Sequence, residues 1–460
     1  MVPAFTASSP DRLGPRPADE RASALRAILS AMPSGDTRND PEAPPHRQRV
    51  RAAVTELRTA WPFQAVPARW NALDEVPWPD SGPGHSVSLR SVTATACAPI
   101  RFELDNPYTE HRPYPSARCK FPVRVVTQDA TGDWLHAPEL EGFLGVPSEG
   151  TRHPEGLETF SALAALPAFY GPLRPVLAGL ETGHVLASLA LLGRALGRPL
   201  EVSGAAEHPP PWADHIPGPV LPGYRMADAA AADREPEAGY APDQPSWSRV
   251  VWDRNSGRVP KGISGFTGGH RTLPIGAWRT ALSALSATTR GLGPLAEVRQ
   301  LLGVHCLVRR VEGIEDGIYE ISFDGTARRM GDVSAARGCL LVDAAPAPRL
   351  AFELDACNLV WVFSANTATA CRASSEPAER IAAGLLAAAG WTAQHLSYAM
   401  AALGLFARPL RSFHGGPTAL ALGLGASHVP VYQLACGLGR YTEPGIDVRG
   451  RGPNEKENRR

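Results

Sequence analysis

Two stretches of this 460-residue chain carry side chains whose types and spacing suggest chemistry. The first is Arg254-Asn255-Ser256-Gly257-Arg258. Two guanidinium forks flank a hydroxyl, a donor set suited to a phosphate ester. In a chain this rich in Arg, the same residues also read as a solvated loop with incidental charge. The second is Arg112-Pro113-Tyr114-Pro115-Ser116-Ala117-Arg118-Cys119-Lys120-Phe121-Pro122. Lys120 is one of only three lysines, with Lys261 and Lys456. Arg keeps its proton near neutral pH, whereas Lys releases one when burial or a neighbouring cation favours it. Arg118 and Arg124 are neighbours in sequence, so Lys120 is a candidate base. A surface or phosphate-binding lysine is the equal alternative. Arg440, Arg449 and Arg451 add positive charge near the C-terminus.

Composition bounds the function. Basic and acidic residues number 46 each, so the net charge is zero. That balance argues against nucleic-acid or anionic-membrane partners, which call for a basic surplus. The seven cysteines are scattered, with no CxxC pair, so neither a disulfide framework nor a zinc site is indicated. No signal-peptide pattern opens the chain. The most apolar window, Ile381–Phe406, holds Gln394, His395 and several small residues, and reads as a buried core helix. A cytoplasmic protein is expected.

The elements that must position the two stretches form two blocks. Residues 1–50 read as a disordered tail, 51–202 as a first half and 203–247 as a Pro/Ala-rich connection. Residues 248–451 read as a second half and 452–460 as a frayed end. Phe121–Thr127, Val304–Val308 and Asn358–Ser364 are strand candidates, and Gly179–Leu196 and Ala378–Leu403 are helices. An α+β architecture follows. The blocks resemble each other. Gly183 to Gly197 reads GHVLASLALLGRALG, and Gly390 to Gly404 reads GWTAQHLSYAMAALG. The opening Gly, Leu189 with Leu396, and the closing Ala-Leu-Gly match at one offset, and Arg-Pro-Leu follows in both. Two unrelated Ala/Leu helices ending at glycine caps would look similar. The shared Arg-Pro-Leu favours duplication.

The C-terminal block resembles the nitroreductase superfamily. The resemblance rests on Gly390…Gln394…Ala402-Leu403-Gly404-Leu405, then Phe413-His414-Gly415-Gly416, then Val429–Leu434 and Gly437. Arg254–Arg258 is similar to the Arg-x-Ser-x-Arg element that opens the family domain. Asp316–Glu320 resembles its Gly-hydrophobic-Tyr strand. Arg112–Pro122 is similar to the Pro-Ser segment of the SagB-type branch, which supplies azoline dehydrogenases. That branch carries a Lys-Tyr pair nearby, whereas this chain has Lys120-Phe121, so the Lys is present and the Tyr is not.

The resemblance implies an intramolecular pseudo-dimer of two nitroreductase-like halves with FMN at their interface. Arg254, Ser256, Arg258 and Arg440 would hold the phosphate. Pro115, Ser116 and Ala117 would brace one face of the ring, and Gly415 and Gly416 the other. Lys120 would be catalytic. The phosphate element occurs only in the second half and the Pro-Ser segment only in the first, so one composite site is expected. The implied reaction is oxidation of thiazoline or oxazoline rings in a ribosomally made precursor peptide, with a cyclodehydratase as partner. Two alternatives stand beside it: an NAD(P)H-dependent flavin, nitro or quinone reductase, and a flavin-free scaffold.

Overall fold

The computed structural model describes residues 18–32, 43–82, 87–103, 110–147, 155–229, 244–257, 271–336, 357–411, 413, 415–439 and 445–449. The strands are β1 (Phe63–Ala65), β2 (Arg101–Glu103), β3 (Glu110–His111), β4 (Val123–Asp129), β5 (Gly132–Ala137), β6 (Gly142–Gly145), β7 (Gly156–Ala162), β8 (Leu200–Ala205), β9 (Val220–Asp228), β10 (Leu302–Val308), β11 (Gly317–Ile321), β12 (Ala327–Gly331), β13 (Leu359–Asn366), β14 (Leu405–Leu410), β15 (His428–Leu438) and β16 (Gly445–Asp447). The helices are α1 (Ala18–Leu29), α2 (Ala43–Ala60), α3 (Trp70–Asp74), α4 (Leu89–Cys97), α5 (Arg174–Ala195), α6 (Trp247–Asp253), α7 (Ile275–Ser286), α8 (Leu295–Arg299), α9 (Thr367–Ala373), α10 (Ala378–Ala402) and α11 (Gly415–Ala421).

Two antiparallel sheets repeat one connectivity. The first runs β1-β6-β5-β4-β7-β9-β8 and the second β12-β11-β10-β13-β15-β14. Apart from the extra edge strand β1, each is built from four strands, a long helix and two more strands. Alternation along the strands gives each sheet two apolar faces. Trp361 and Phe363 face the central core, while Val360 and Val362 face an outer layer that α11 closes. On the first sheet, Val126, Leu135 and Phe160 face an outer layer closed by Val54 and Leu57 of α2.

The central core is the crossing of α5 and α10. Each has small residues where they meet, so their backbones touch. A Cβ on Gly183 would lie 2.0 Å from the Ala387 carbonyl oxygen, and one on Gly390 would lie 2.0 Å from that of Leu180. The contact is reciprocal, because each glycine meets the carbonyl three residues before the other. That is the signature of a two-fold related packing, here within one chain. Gly183 and Gly390 are also the residues that open the two matching sequence segments. Ala168–Ala195 has the length and apolarity to cross a membrane, yet 83% of its most apolar window is buried inside the protein.

A third, three-stranded sheet joins the halves. β16, near the C-terminus, pairs with β2 of the first half, and β3 completes it.

The expected strands and helices are present within a few residues of their anticipated limits. Two expectations are corrected. The stretch 203–247 contains β9, which lies between β7 and β8 in the first sheet. Its Pro and Ala content hides a strand whose Gly223 packs against Thr159, where a Cβ would meet Thr159 Oγ1 at 2.4 Å. The stretch 1–50 contains α1, whose Leu25 and Leu29 are fully buried. Those leucines lie four apart on one helix face. Arg21 donates to the carbonyls of Cys371 and Ser374 at the end of α9. Residues 452–460 lie outside the described residues.

Gly183→Ala should lower stability by about 3 kcal/mol, because backbone cannot yield to an inserted methyl. Gly416→Ala, where a Cβ meets nothing within 4 Å, should be neutral or stabilise by up to about 1 kcal/mol. Urea unfolding midpoints of the two variants check this, and a wild-type midpoint for Gly183→Ala would contradict the crossing.

Candidate functional site

Four elements converge where the halves meet: residues 112–122, the end of α6, the edge strand β14, and the α5–α10 crossing. The α6 helix opens at Ser246, whose hydroxyl accepts from the Arg249 N–H. It ends at Arg254, whose own N–H donates to the Val250 carbonyl. Carbonyl groups at this end are held by the fully buried Arg101, which donates to Trp252 O and, at 3.2 Å, to Arg254 O. Arg101 in turn pairs with Glu103 at 3.2 Å. Arg254 is thus fixed by its backbone while its guanidinium lies buried at the seam.

From there Arg254 Nη2 donates to the Arg112 carbonyl at 2.8 Å. The segment runs on beside β14, where Ala407 N–H donates to Asn255 O. Arg408 donates to the Ser256 and Gly257 carbonyls at 3.0 and 3.3 Å. The two stretches singled out in the sequence are therefore neighbours, although 142 residues separate Arg112 from Arg254. Arg258 and Arg440 lie outside the described residues. Arg449 is half of an ion pair with Asp447 at 2.9 Å and donates to Ser248 Oγ, so it braces α6.

The 112–122 loop closes on itself. Arg112 pairs with Glu110 at 2.9 Å, and its guanidinium lies 4.0 Å from the Phe121 ring centre. Phe121 meets Tyr114 edge to face. Phe121 is therefore a buried clasp between Arg112 and Tyr114. Between these anchors Arg118, Cys119 and Phe121 have φ of 52°, 53° and 49°. Left-handed backbone at non-glycine residues is strained, and such residues concentrate at ligand clamps and active sites. Lys120 lies among them, buried, at 8% exposure. The expected cationic neighbours are otherwise engaged. Arg124 makes a forked pair with Glu139 at 2.6 and 2.9 Å, and Arg118 lies over Phe169. Although burial opposes its charge, Glu139 is held down to about 2 by Arg124.

A directed hydrogen-bond chain ties the loop to both halves. Gln394 Nε2 donates to the Pro113 carbonyl at 3.0 Å. This fixes the amide, so Gln394 Oε1 must accept from His184 Nδ1 at 2.8 Å. His184 Nε2 is then the acceptor, and the Tyr432 hydroxyl donates to it at 2.9 Å. Burial pushes His184 down to about 3, so the neutral ring required by this chain is the form present. The chain alternates between halves at every step.

Glu181 completes the site and escaped the sequence reading. It is the sole acid in an apolar helix, which is a usable signal. Burial raises its carboxyl to about 8, against the opposing effects of the nearby Ser116 hydroxyl, the Val123 N–H, Arg112 and Arg124. Its Oε1 has no hydrogen-bond partner. Ser116 Oγ also accepts from the Phe121 N–H at 2.8 Å. Gly415 and Gly416 stand elsewhere. They open α11 on the outer face of the second sheet, and open space surrounds both. Their Gly-Gly spelling reflects a helix start and not a close approach to the seam.

Exchanging the halves maps this region onto a different environment. There β8 replaces β14, α10 replaces α5 and residues 294–301 replace 112–122. A pocket of about 250 Å³ lies there, lined mostly by apolar groups such as Val202, Tyr224, Leu295, Val298 and Ile381. Its Arg380 faces Glu376 at 3.3 Å. Arg299 stands three residues before β10, as Lys120 stands three before β4, and lies 3.8 Å from the Phe323 ring centre. The two environments differ in chemistry, not in topology.

No protein-family model and no curated protein matches the chain. Among solved structures, one described as a nitroreductase from Anabaena variabilis is 14% identical, with a TM-score of 0.55 over 84% of this chain and 99% of that one. That coverage exceeds either half. A second, described as a nitroreductase from Ralstonia eutropha, is 17% identical over 45% of this chain and 89% of its own, with a TM-score of 0.32. The Escherichia coli microcin synthetase McbBCD complex with truncated pro-MccB17 gives 13% identity over 50% of this chain and 82% of its own, also with a TM-score of 0.32. The first likeness establishes a nitroreductase-like α+β fold.

Glu181 makes a pH-dependent prediction. Its folded value of about 8 exceeds the ordinary 4.5. Between these, the folded protein keeps a proton that the unfolded chain has lost, so stability from this group falls as pH rises through that window and is flat above it. Glu181→Gln should melt several degrees above wild type at pH 9, with the gap closing towards pH 5. Melting curves that stay parallel from pH 5 to 9 would contradict the assignment.

Proposed function

We propose that this chain is an FMN-dependent dehydrogenase that oxidises thiazoline or oxazoline rings to thiazoles or oxazoles in a ribosomally made peptide. The observation that carries the reading is the bond from Arg254 to the Arg112 carbonyl. It joins a buried guanidinium, two residues before Ser256, to a loop of the other half that carries Pro115, Ser116 and Ala117 and has strained backbone at Arg118, Cys119 and Phe121. The donor set fits a flavin phosphate: a forked cation, a hydroxyl and the backbone of a turn at Gly257, whose φ is 73°. Arg258 and Arg440 are proposed to add charge.

FMN, when bound, supplies the ring that accepts a hydride equivalent. The chain's own residues do the rest. Arg254 and Ser256 anchor the phosphate, while Pro115, Ser116 and Ala117 brace the ring. Lys120 Nζ takes the proton from the azoline carbon beside the C=N group, for which it must enter unprotonated and within hydrogen-bonding reach. The dry α5–α10 crossing behind the loop keeps water from the rear of the site. The precursor peptide is the proposed substrate. An azoline arises by cyclodehydration of Cys, Ser or Thr side chains, so a cyclodehydratase is the proposed partner.

Flavin released on denaturation should approach one per chain, and a ratio of two would overturn the single composite site. Arg254→Ala should weaken FMN binding about ten-fold or more, through loss of a charge-assisted bond. Lys120→Ala should stay yellow while turnover falls about a hundred-fold or more. A colourless protein that takes up no added FMN would overturn the reading. Bleaching by NAD(P)H without azoline oxidation would overturn the substrate.

A further inference from the structure

A cavity of about 250 Å³ lies away from the proposed flavin seam, where β8 and β9 of the first half face α8 and α10 of the second. Its walls are apolar, formed by Val202, Leu295, Val298, Leu301, Ala370 and Ile381. An apolar cavity of roughly 150 Å³ already takes up a benzene ring. This one therefore has room for a ring or a branched chain with a short arm. Gly384 of α10 keeps part of the space open. Glycine inside a helix is unfavourable, and here a Cβ would press on Val298 Cγ1 at 3.3 Å.

Two polar side chains interrupt the apolar lining. Tyr224 is at 8% exposure. Its backbone is pinned on β9, where its N–H donates to Thr159 Oγ1 at 2.9 Å and its carbonyl accepts from that hydroxyl at 3.1 Å. The Tyr224 hydroxyl reaches the cavity beside Gly384, 3.7 Å from where a Cβ would stand. It makes no hydrogen bond among the described residues. A buried hydroxyl without a partner is unfavourable until a ligand or water completes it. Arg380 stands one turn before Gly384 on the same face of α10, about 6 Å along the axis. Its Nε pairs with Glu376 at 3.3 Å, while its two terminal nitrogens have no partner among the described residues. The rim around them is held in place. Arg21 of α1 donates to the Ser374 and Glu376 carbonyls at 2.8 and 3.1 Å, and Ser374 Oγ accepts from the Glu376 N–H at 3.1 Å.

We propose that this cavity is a second ligand site, for a small apolar monocarboxylic acid. The apolar part fills the space among Leu295, Val298 and Ile381. The carboxylate accepts from the Tyr224 hydroxyl and from the open end of Arg380, whose terminal N–H groups match two oxygens. Arg21, Arg380 and Glu376 at this rim sum to one positive charge, which suits a monoanion better than a phosphate dianion. The site goes beyond the flavin reading and does not rest on it.

The test is a calorimetric titration of the full chain with 4-phenylbutyrate. One equivalent should bind, with a Kd below about 1 mM. Tyr224→Phe removes a hydroxyl that holds nothing in the fold, and should weaken binding about five-fold. Arg380→Gln changes a half-exposed side chain, and should weaken it by about as much. The uncharged 4-phenylbutyramide should bind the wild type about ten-fold less tightly than the acid. Saturating FMN should leave the affinity for the acid unchanged. No binding, or wild-type affinity in either variant, would overturn the inference. Displacement by FMN would overturn it too, by placing the acid at the Arg254 seam. So would binding of a capped tripeptide ending in Phe when the free acid does not bind. A chain that takes up no FMN yet binds the acid would remove the flavin reading and leave this site standing. A yellow chain that ignores the acid would do the reverse.

Discussion

Everything at the seam depends on the backbone contact between Gly183 and Gly390. Two helices normally keep their axes 8–10 Å apart because side chains intervene. Here each glycine faces a carbonyl of the other helix at a distance that no side chain would tolerate. That closeness lets the next residues do something unusual for a core. His184, one residue on from Gly183, reaches Gln394, one turn on from Gly390. The pair then extends to Tyr432 on one side and to the loop carbonyl at Pro113 on the other. A small-residue crossing thus becomes the mount for a polar chain, and the chain fixes the loop.

The same seam gathers buried charge. Arg101, Arg112 and Arg254 lie together with Glu103 and Glu110, each at 3% exposure or less. Desolvating such groups is costly, and pairing seldom leaves a net gain in stability. Arg101 and Arg112 are paired with carboxylates and spend further donors on the protein, Arg101 on backbone carbonyls and Arg112 on the Tyr114 hydroxyl. Arg254 points its Nη2 at the carbonyl of a residue from the other half. In the proposed reading this arginine belongs to an anion cradle, and its desolvation is part of that role. The asymmetry between the halves supports this. The mate environment has an apolar pocket, and its counterpart of Lys120 is an arginine lying over an aromatic ring.

Much of this was legible in the sequence. Apolar recurrence at three and four residues revealed α5 and α10, and β-branched runs revealed β4, β10 and β13. The repeat beginning at Gly183 and Gly390 marked the contact itself, because a shared glycine opens both segments. The Arg254 and Ser116 stretches were recognisable by residue type. Other parts were not legible. β9 is masked by Pro and Ala, and its Gly223 is needed by a neighbour distant in sequence. The α1 helix is short, and tertiary contacts stabilise it, through burial of Leu25 and Leu29 and the Arg21 bonds to the end of α9. Gly415 and Gly416 looked like a ring contact but lie on the far face of a sheet, since strand alternation decides which face a following helix covers. Glu181 could have been suspected as a lone acid in an apolar helix, yet the burial that raises its carboxyl exists only once the chain is folded.

The central claim is that one flavin is shared between unlike halves. A crystal structure of the chain grown with FMN tests it most directly. The account predicts density for a single flavin, with its phosphate against Arg254 and Ser256 and its rings over Pro115 to Ala117. Flavin density in the apolar pocket near Leu295 and Ile381, or none at the Arg254 seam, would contradict it.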